Sequence, residues 1–235
     1  PDDSNAVESP GPRRAANWSQ VSYTLPGLIR IPSKSKGSQS VRIAEFDAPA
    51  RRIHVANPLV EDKIFIRTDL VNASPFVLLP GRVSLFLDGD LVGPTELREV
   101  MPGADFELWW GADPELKATR TMLERRTART GLLGGGRQTI SRYRIDLTNL
   151  GRVPVEIELW DRLPVSRSRD IEVRIAEVQP ELAEDEAYLE DEWQRGLLKW
   201  ILPLLPAGEE GDRRQVNWAV RVSRSADTDI TPIPE

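Results

Sequence analysis

The chain has 235 residues, 40% of them hydrophobic and 29% charged, with a formal net charge of −6. That size holds one large β domain or two of about 100 residues each, and the negative balance excludes broad nucleic-acid binding. The lack of cysteine excludes disulfides, thiolate catalysis and cysteine-ligated zinc, and no run of about 18 apolar residues is present to cross a membrane as a helix.

Nineteen prolines argue against long helices and for many short strands. No signal-peptide pattern is present, and a start at Pro1 is what a processed chain or a fragment would show. Residues 1–16 are polar and proline-rich without periodicity, so they read as a disordered linker. Order is expected from Trp18, with short strands over 21–23, 28–31, 41–43, 51–55 and 63–71. Val83, Leu85, Leu87 and Leu91 flank Asp88-Gly89, a preferred two-residue hairpin turn. After a turn at Pro102-Gly103, Phe106, Leu108 and Trp110 share one strand face and leave Trp109 on the other.

Residues 117–130 alternate without a convincing apolar face and lead to Gly134-Gly135-Gly136. With the return from Gln138 they predict a long hairpin whose outer half projects, with a mobile tip. Tyr143, Ile145 and Leu147, then Val155, Ile157 and Leu159, alternate on either side of Gly151, the pattern of an antiparallel hairpin. Pro164 ends the second strand, and Ile171, Val173 and Ile175 open a third. The acidic segment 181–192 is the one place for a helix, on the stripe Leu182, Leu189, Trp193. A strand over 197–202, a turn at Ala207-Gly208 and a strand burying Val216, Trp218, Val220 and Val222 close the fold, with a loose tail from Ser223.

The predicted architecture is therefore all-β: two packed antiparallel β-sandwich-like subdomains, residues 17–116 and 117–222, with a projecting hairpin, at most one short helix and a tail over 223–235.

Chemistry is less legible. His54 is the single histidine, and a triad or a zinc site needs more than one such group. It reads as the polar face of its strand. Ser166 lacks the glycine elbow of a serine nucleophile and reads as a turn hydroxyl. Gly131 to Arg137 has no lysine feeding a helix, so a hairpin tip is favoured over a phosphate loop. Asp88, Asp90 and Glu99 resemble a calcium loop only in part, because Val92 stands where an oxygen ligand is needed. Thirty-seven acidic residues single out no glycosidase pair. No catalytic, cofactor or metal residues are assigned.

The unusual feature is electrical. Between 117 and 144 eight basic residues face one acid, Glu124. Solvated charge is the plain reading; the sharper one is an anionic partner such as acidic polysaccharide, lipid headgroups or an acidic protein surface, held by a salt-sensitive contact. The candidate interaction residues are Trp109, as an outward anchor, and Arg125, Arg126, Arg129 and Arg137.

Four segments carry a resemblance: SYTLPGLIRIPS, LLPGRVSLFLDGDLVG, PGADFELWWGADPELKATRTMLERRTARTGLLGG and VEIELWDRLPVSRSRDIEVRI. The Phe86–Gly89 and Asp161–Arg167 runs are the most specific of them. They are similar to the C-terminal domain of the mucoidy-inhibitor-A-like bacterial family. The resemblance implies a β-rich domain of unknown function that follows an N-terminal β domain and a coiled coil, in the bacterial envelope, periplasmic or cell-surface. It supplies no catalytic residues. Trp109-Trp110 and the long acidic insert depart from the family pattern and point to a protein contact particular to this chain. The expected function is a non-enzymatic interaction or structural domain that meets other envelope proteins or itself. The alternatives are a carbohydrate-active or glycan-binding domain, and anionic-polymer binding through the arginine hairpin.

Overall fold

The computed structural model describes residue 23 and residues 41–87, 89–130, 135–166 and 168–225. The expected linker, the strands over 21–23 and 28–31, Asp88 of the hairpin turn and the Gly131–Gly134 part of the tip lie largely or wholly outside the described residues, as do 226–235. Eleven strands carry the fold: β1 Ala50–Ala56, β2 Ile64–Val71, β3 Gly81–Leu87, β4 Asp90–Leu97, β5 Asp105–Ala112, β6 Leu116–Thr130, β7 Gly136–Asn149, β8 Val155–Arg162, β9 Ile171–Gln179, β10 Leu197–Leu204 and β11 Arg213–Ser225. A π turn, Tyr188–Glu192, and a 3-10 turn, Trp193–Arg195, are the main helical pieces. The chain is all-β, as its patterning predicts. The described residues fall into two compact units, one drawn from 23, 41–51 and 68–109, the other from 52–67 and 110–225.

In the first unit β3 and β4 form an antiparallel hairpin, closing Leu87 against Asp90. Leu85 is buried on one face, while Phe86 and Leu91 are paired and exposed on the other. With Leu87 opposite Asp90, Leu91 falls opposite Phe86 and away from Leu85, and the register shift comes only beyond it, where Val92 is skipped and Leu85 meets Gly93. Asn72 ties the following loop. Its side-chain amide donates to Phe76 O and Val100 O and its carbonyl accepts from Ser74 N and Oγ. Residues 41–49 form no strand, and Val41 and Ile43 are exposed. Two apolar positions before Asp47-Ala48-Pro49 are too short a run to bury a face.

The second unit is a sandwich of two sheets, to which β1, β2 and β5 give Arg52–Ala56, Ile64–Arg67 and Trp110–Ala112. One sheet has the order β10-β8-β1-β2-β5, the other β6-β7-β11-β9. Tyr143, Ile145 and Leu147 of β7 and Val216, Trp218, Val220 and Val222 of β11 share a core with Ile157 and Leu159 of β8 and Leu198, Trp200, Leu202 and Leu204 of β10. Each such side chain contributes about 1.5–3 kcal/mol on burial, and the two fully covered indoles, Trp200 and Trp218, are the largest.

The expected β7–β8 hairpin is not formed. β7 pairs with β6 and β11, while β8 pairs antiparallel with β10 and parallel with β1. The link over 150–154 is a corner between sheets, held by Asn149, whose side chain accepts from Gly151 N and donates to Val153 O. A period of two shows which face of a strand is buried, not which strand lies beside it. Because both sheets face one core, the same pattern fits a hairpin and a sandwich corner equally well.

The β6–β7 hairpin is present, yet its outer half does not stand alone. β11 follows β7 as far as Ser225 opposite Gly136, and β9 continues beside it to Ile171 opposite Arg224. The strand thus includes the stretch from Ser223 expected to be loose, because Val222 still buries one face. In the acidic insert Leu182 and Trp193 pack on the core as expected, whereas Leu189 is exposed. Tyr188 is the buried anchor, donating to Leu197 O and accepting from Lys199 N. The wide i→i+5 π turn that replaces a regular helix here presents Tyr188 to the core in place of Leu189.

Candidate functional site

The basic stretch divides into two faces with different chemistry. β6 and β7 stay in register from Leu116–Asn149 to Met122–Tyr143, and then Leu123 is skipped, so that Glu124 opposes Arg142. A bulge of one residue flips every side chain beyond it. Strict alternation would put Ala118, Arg120, Met122, Glu124 and Arg126 on one face; the bulge separates the last two. Arg125, Thr127 and Arg129 now continue the core-side face of Ala118 and Met122, opposite Ser141, Thr139 and Arg137. Thr127 and Thr139 hydroxyls meet at 3.0 Å.

Arg126 lies on the outer face and pairs with Glu124. Glu124 also accepts from Arg142 at 2.7 Å, and Arg142 reaches Glu177 of β9 at 2.9 Å. This contact holds Glu177 below its usual carboxylate range and Arg142 above its usual value. Arg144 binds Asp146. The outer face is therefore a ladder of alternating charge rather than a basic surface. The acidic insert neutralises different groups, with Asp185 on Lys199 and Asp191 on Arg195.

Arg120 is buried. Its Nε donates to Asp161 Oδ2 at 2.9 Å, both side chains nearly inaccessible at 6% and 0% exposure. Trp218 Nε1 donates to the same oxygen and Arg162 N to the other. The guanidinium carbon stands 4.0 Å from the centre of the Tyr143 ring, which stacks on Trp218. Desolvation raises the pKa of Asp161 above the ordinary carboxylate value, against the opposing pull of Arg120, the Arg162 amide and Trp218. This cluster locks the two sheets together through a charge pair that solvent barely reaches.

His54 is also buried, not on a wet strand face as expected. β1 is an interior strand, between β8 and β2. Its Nε2 lies 3.4 Å from Asp113. Burial pushes the imidazole pKa down, Asp113 opposes this, and Arg52 adds to it. Glu158 of β8 accepts from Arg67 and from Trp160.

Of the five candidate residues, Arg125, Arg129 and Arg137 are brought to one face and Arg126 to the opposite face of the second unit, while Trp109, on β5, belongs to the first. Trp109 is 40% exposed and donates its indole N–H to Glu107. In the same unit a pocket of about 700 Å³ is lined by Arg51, Asp69, Asp105, Phe106 and Glu107 among others. Arg224 is not among the residues expected from the sequence, although it continues the inward run Val216, Trp218, Val220, Val222. It faces Arg137 in register.

A family described as "Domain of unknown function (DUF4139)" matches residues 6–223. The chain belongs to this family. Among curated proteins, "Protein F37C4.5" of Caenorhabditis elegans is 27% identical over 151 residues, covering 64% of this chain and 27% of the worm protein. The chain thus corresponds to about a quarter of that relative's length. No solved structure matches the chain. Within this DUF4139 domain Asp161, at the head of the Asp161–Arg167 run, supplies the buried carboxylate that joins the two sheets. Among the described residues no helix is long and apolar enough to cross a membrane.

Proposed function

We propose that this DUF4139 domain is a non-enzymatic interaction module that meets a protein partner around Trp109. The exposed indole carries the reading. A large aromatic ring on the wet face of a strand, oriented by a hydrogen bond to Glu107, is the kind of rigid, amphipathic anchor that dominates protein interfaces. The buried ionisable groups support the non-enzymatic part, since Asp161 and His54 each bind another residue of the fold. The setting, a bacterial envelope and a partner among its proteins or a second copy, rests on the resemblance to the mucoidy-inhibitor-A-like family.

Pull-down from native membranes with the wild-type domain and with Trp109→Ala tests the proposal. A protein retained by the wild type and lost with the variant supports it. Equal retention by both overturns the Trp109 surface. Turnover of a glycan or peptide by the purified domain, abolished by changing one acidic residue, overturns the non-enzymatic reading. The pocket with Asp69, Asp105 and Glu107 beside Phe106 favours a second reading, glycan binding, tested by retention on immobilised oligosaccharide and its loss in Asp105→Asn.

A further inference from the structure

Beyond the bulge, three arginines stand in one row across three strands. Arg129 of β6 opposes Arg137 of β7, and Arg137 opposes Arg224 of β11. Directly opposed side chains point to the same face with roots about 5 Å apart. Among the described residues no ion pair reaches Arg125, Arg129, Arg137 or Arg224. Nη1 of Arg224 is buried without a hydrogen-bond partner there.

Edge protection explains part of this and fails for the rest. Sheets blunt their outer strands with charge and with bulges, and β6 is the outer strand of its sheet. Arg125, Arg129 and the Leu123 bulge fit that role. Arg137 and Arg224 lie on the two interior strands, where no edge needs protection. Like charges directly opposed across strands are destabilising, and a buried donor without an acceptor adds to the cost. The outer face of the same strands shows the contrast, with Glu124 and Glu177 placed among its arginines.

We propose that the row Arg129–Arg137–Arg224 binds a tetrahedral oxyanion, a phosphoryl or sulfate group. Two guanidiniums rooted about 5 Å apart close together on one dianion through paired N–H···O bonds, whereas one carboxylate balances a single guanidinium. Arg224 turns toward the ligand without losing a hydrogen bond at Nη1, since it has none among the described residues. At its β9 end the row reaches Ile171, opposite Arg224. Ile171 lines a pocket of about 250 Å³ with Val173, Leu163, Val165 and Gly196. That apolar recess beside a cationic row suits the body of an ester better than a free ion. This site is independent of the Trp109 surface.

Calorimetric titration at constant ionic strength tests the proposal, with inorganic phosphate, sulfate and phenyl phosphate against a chloride control. Wild type and Arg126→Gln, altered on the opposite face, are expected to bind phosphate and sulfate alike. Arg137→Gln is expected to weaken binding at least about tenfold, the loss of one charge-assisted pair. Arg129→Gln, on the exposed outer strand, gives the same reading should the interior variant not fold. Phenyl phosphate binding more tightly than phosphate identifies an esterified group as the ligand; equal affinities identify the free anion. No heat beyond the chloride control, or equal weakening by Arg126→Gln and Arg129→Gln, overturns the site.

Discussion

Replacing Asp161 by leucine is expected to cost far more than replacing the Arg120–Asp161 pair together. The single change removes the acceptor of Arg120 Nε, Trp218 Nε1 and the Arg162 amide and leaves a guanidinium buried without its counter-charge. Breaking a buried pair from one side costs about 3–5 kcal/mol, and the stranded indole N–H adds about 1–3 kcal/mol. A loss near 5 kcal/mol lowers the melting temperature by about 10–20 °C in a domain of this size. Adding Arg120→Met removes the unpaired charge and leaves the indole as the main remaining penalty. The double variant should therefore recover at least about 2 kcal/mol of the loss. The raised pKa of Asp161 points the same way, since burial already disfavours its charged form. Urea unfolding followed by near-ultraviolet circular dichroism, over a complete double-mutant cycle, measures the coupling. A cost below about 1 kcal/mol for Asp161→Leu, or a double variant less stable than that single one, would refute the reasoning.

Three further outcomes are expected. Gly196 has φ +78°, and a Cβ there would stand 2.6 Å from Val165 Cγ2 and 3.1 Å from Leu163 O; Gly196→Ala should cost about 2 kcal/mol from left-handed strain alone, read from the chemical unfolding midpoint, with Gly196→Asn milder. His54 has a folded-state pKa below its ordinary 6.5, so its contribution is complete above that value and is lost as pH falls through the lower one. Urea midpoints across that range should decline in the wild type, and His54→Gln should remove this component. Deleting Leu123 removes the bulge and leaves Glu124 opposite Arg142 and Arg125 opposite Ser141, so Arg125 and Arg129 keep the core-side face. Stability should change by no more than about 1–2 kcal/mol, and phosphate binding at the arginine row should persist in the same calorimetric titration.

The inward residues of most strands were legible, because strands with one buried face write it as alternation. Val216, Trp218, Val220 and Val222 are all buried as read. Pairing was less legible. Nothing in Tyr143–Leu147 and Val155–Leu159 distinguishes a hairpin from a corner, and the deciding interactions, Asn149 with Gly151 and β8 with β1, involve a side-chain turn and a strand far away in sequence. The bulge at Leu123 had a weak signal at most: a leucine at an outward position, which the alternation alone treats as an ordinary exception. It matters more than any other miss, since it decides which arginines share a face. Arg224 could have been found by extending the β11 alternation one step, but its neighbours Arg129 and Arg137 are joined to it only by the sheet order. The buried role of Asp161 was hidden because a charged residue at the end of a strand resembles solvated polarity until both sheets are in place.

β1 occupies an interior slot whose parallel neighbour, β8, lies about a hundred residues downstream, and such distant closure is entropically slow. During synthesis at about 5–20 residues per second, His54–Ala56 wait roughly 5–20 s before Ile157–Leu159 exist to receive them. Until then their apolar side chains and hydrogen-bonding groups are available to any passing strand. A nascent chain halted before residue 162 would therefore be the species most in need of a chaperone, and any shortened version should keep β1 and β8 together.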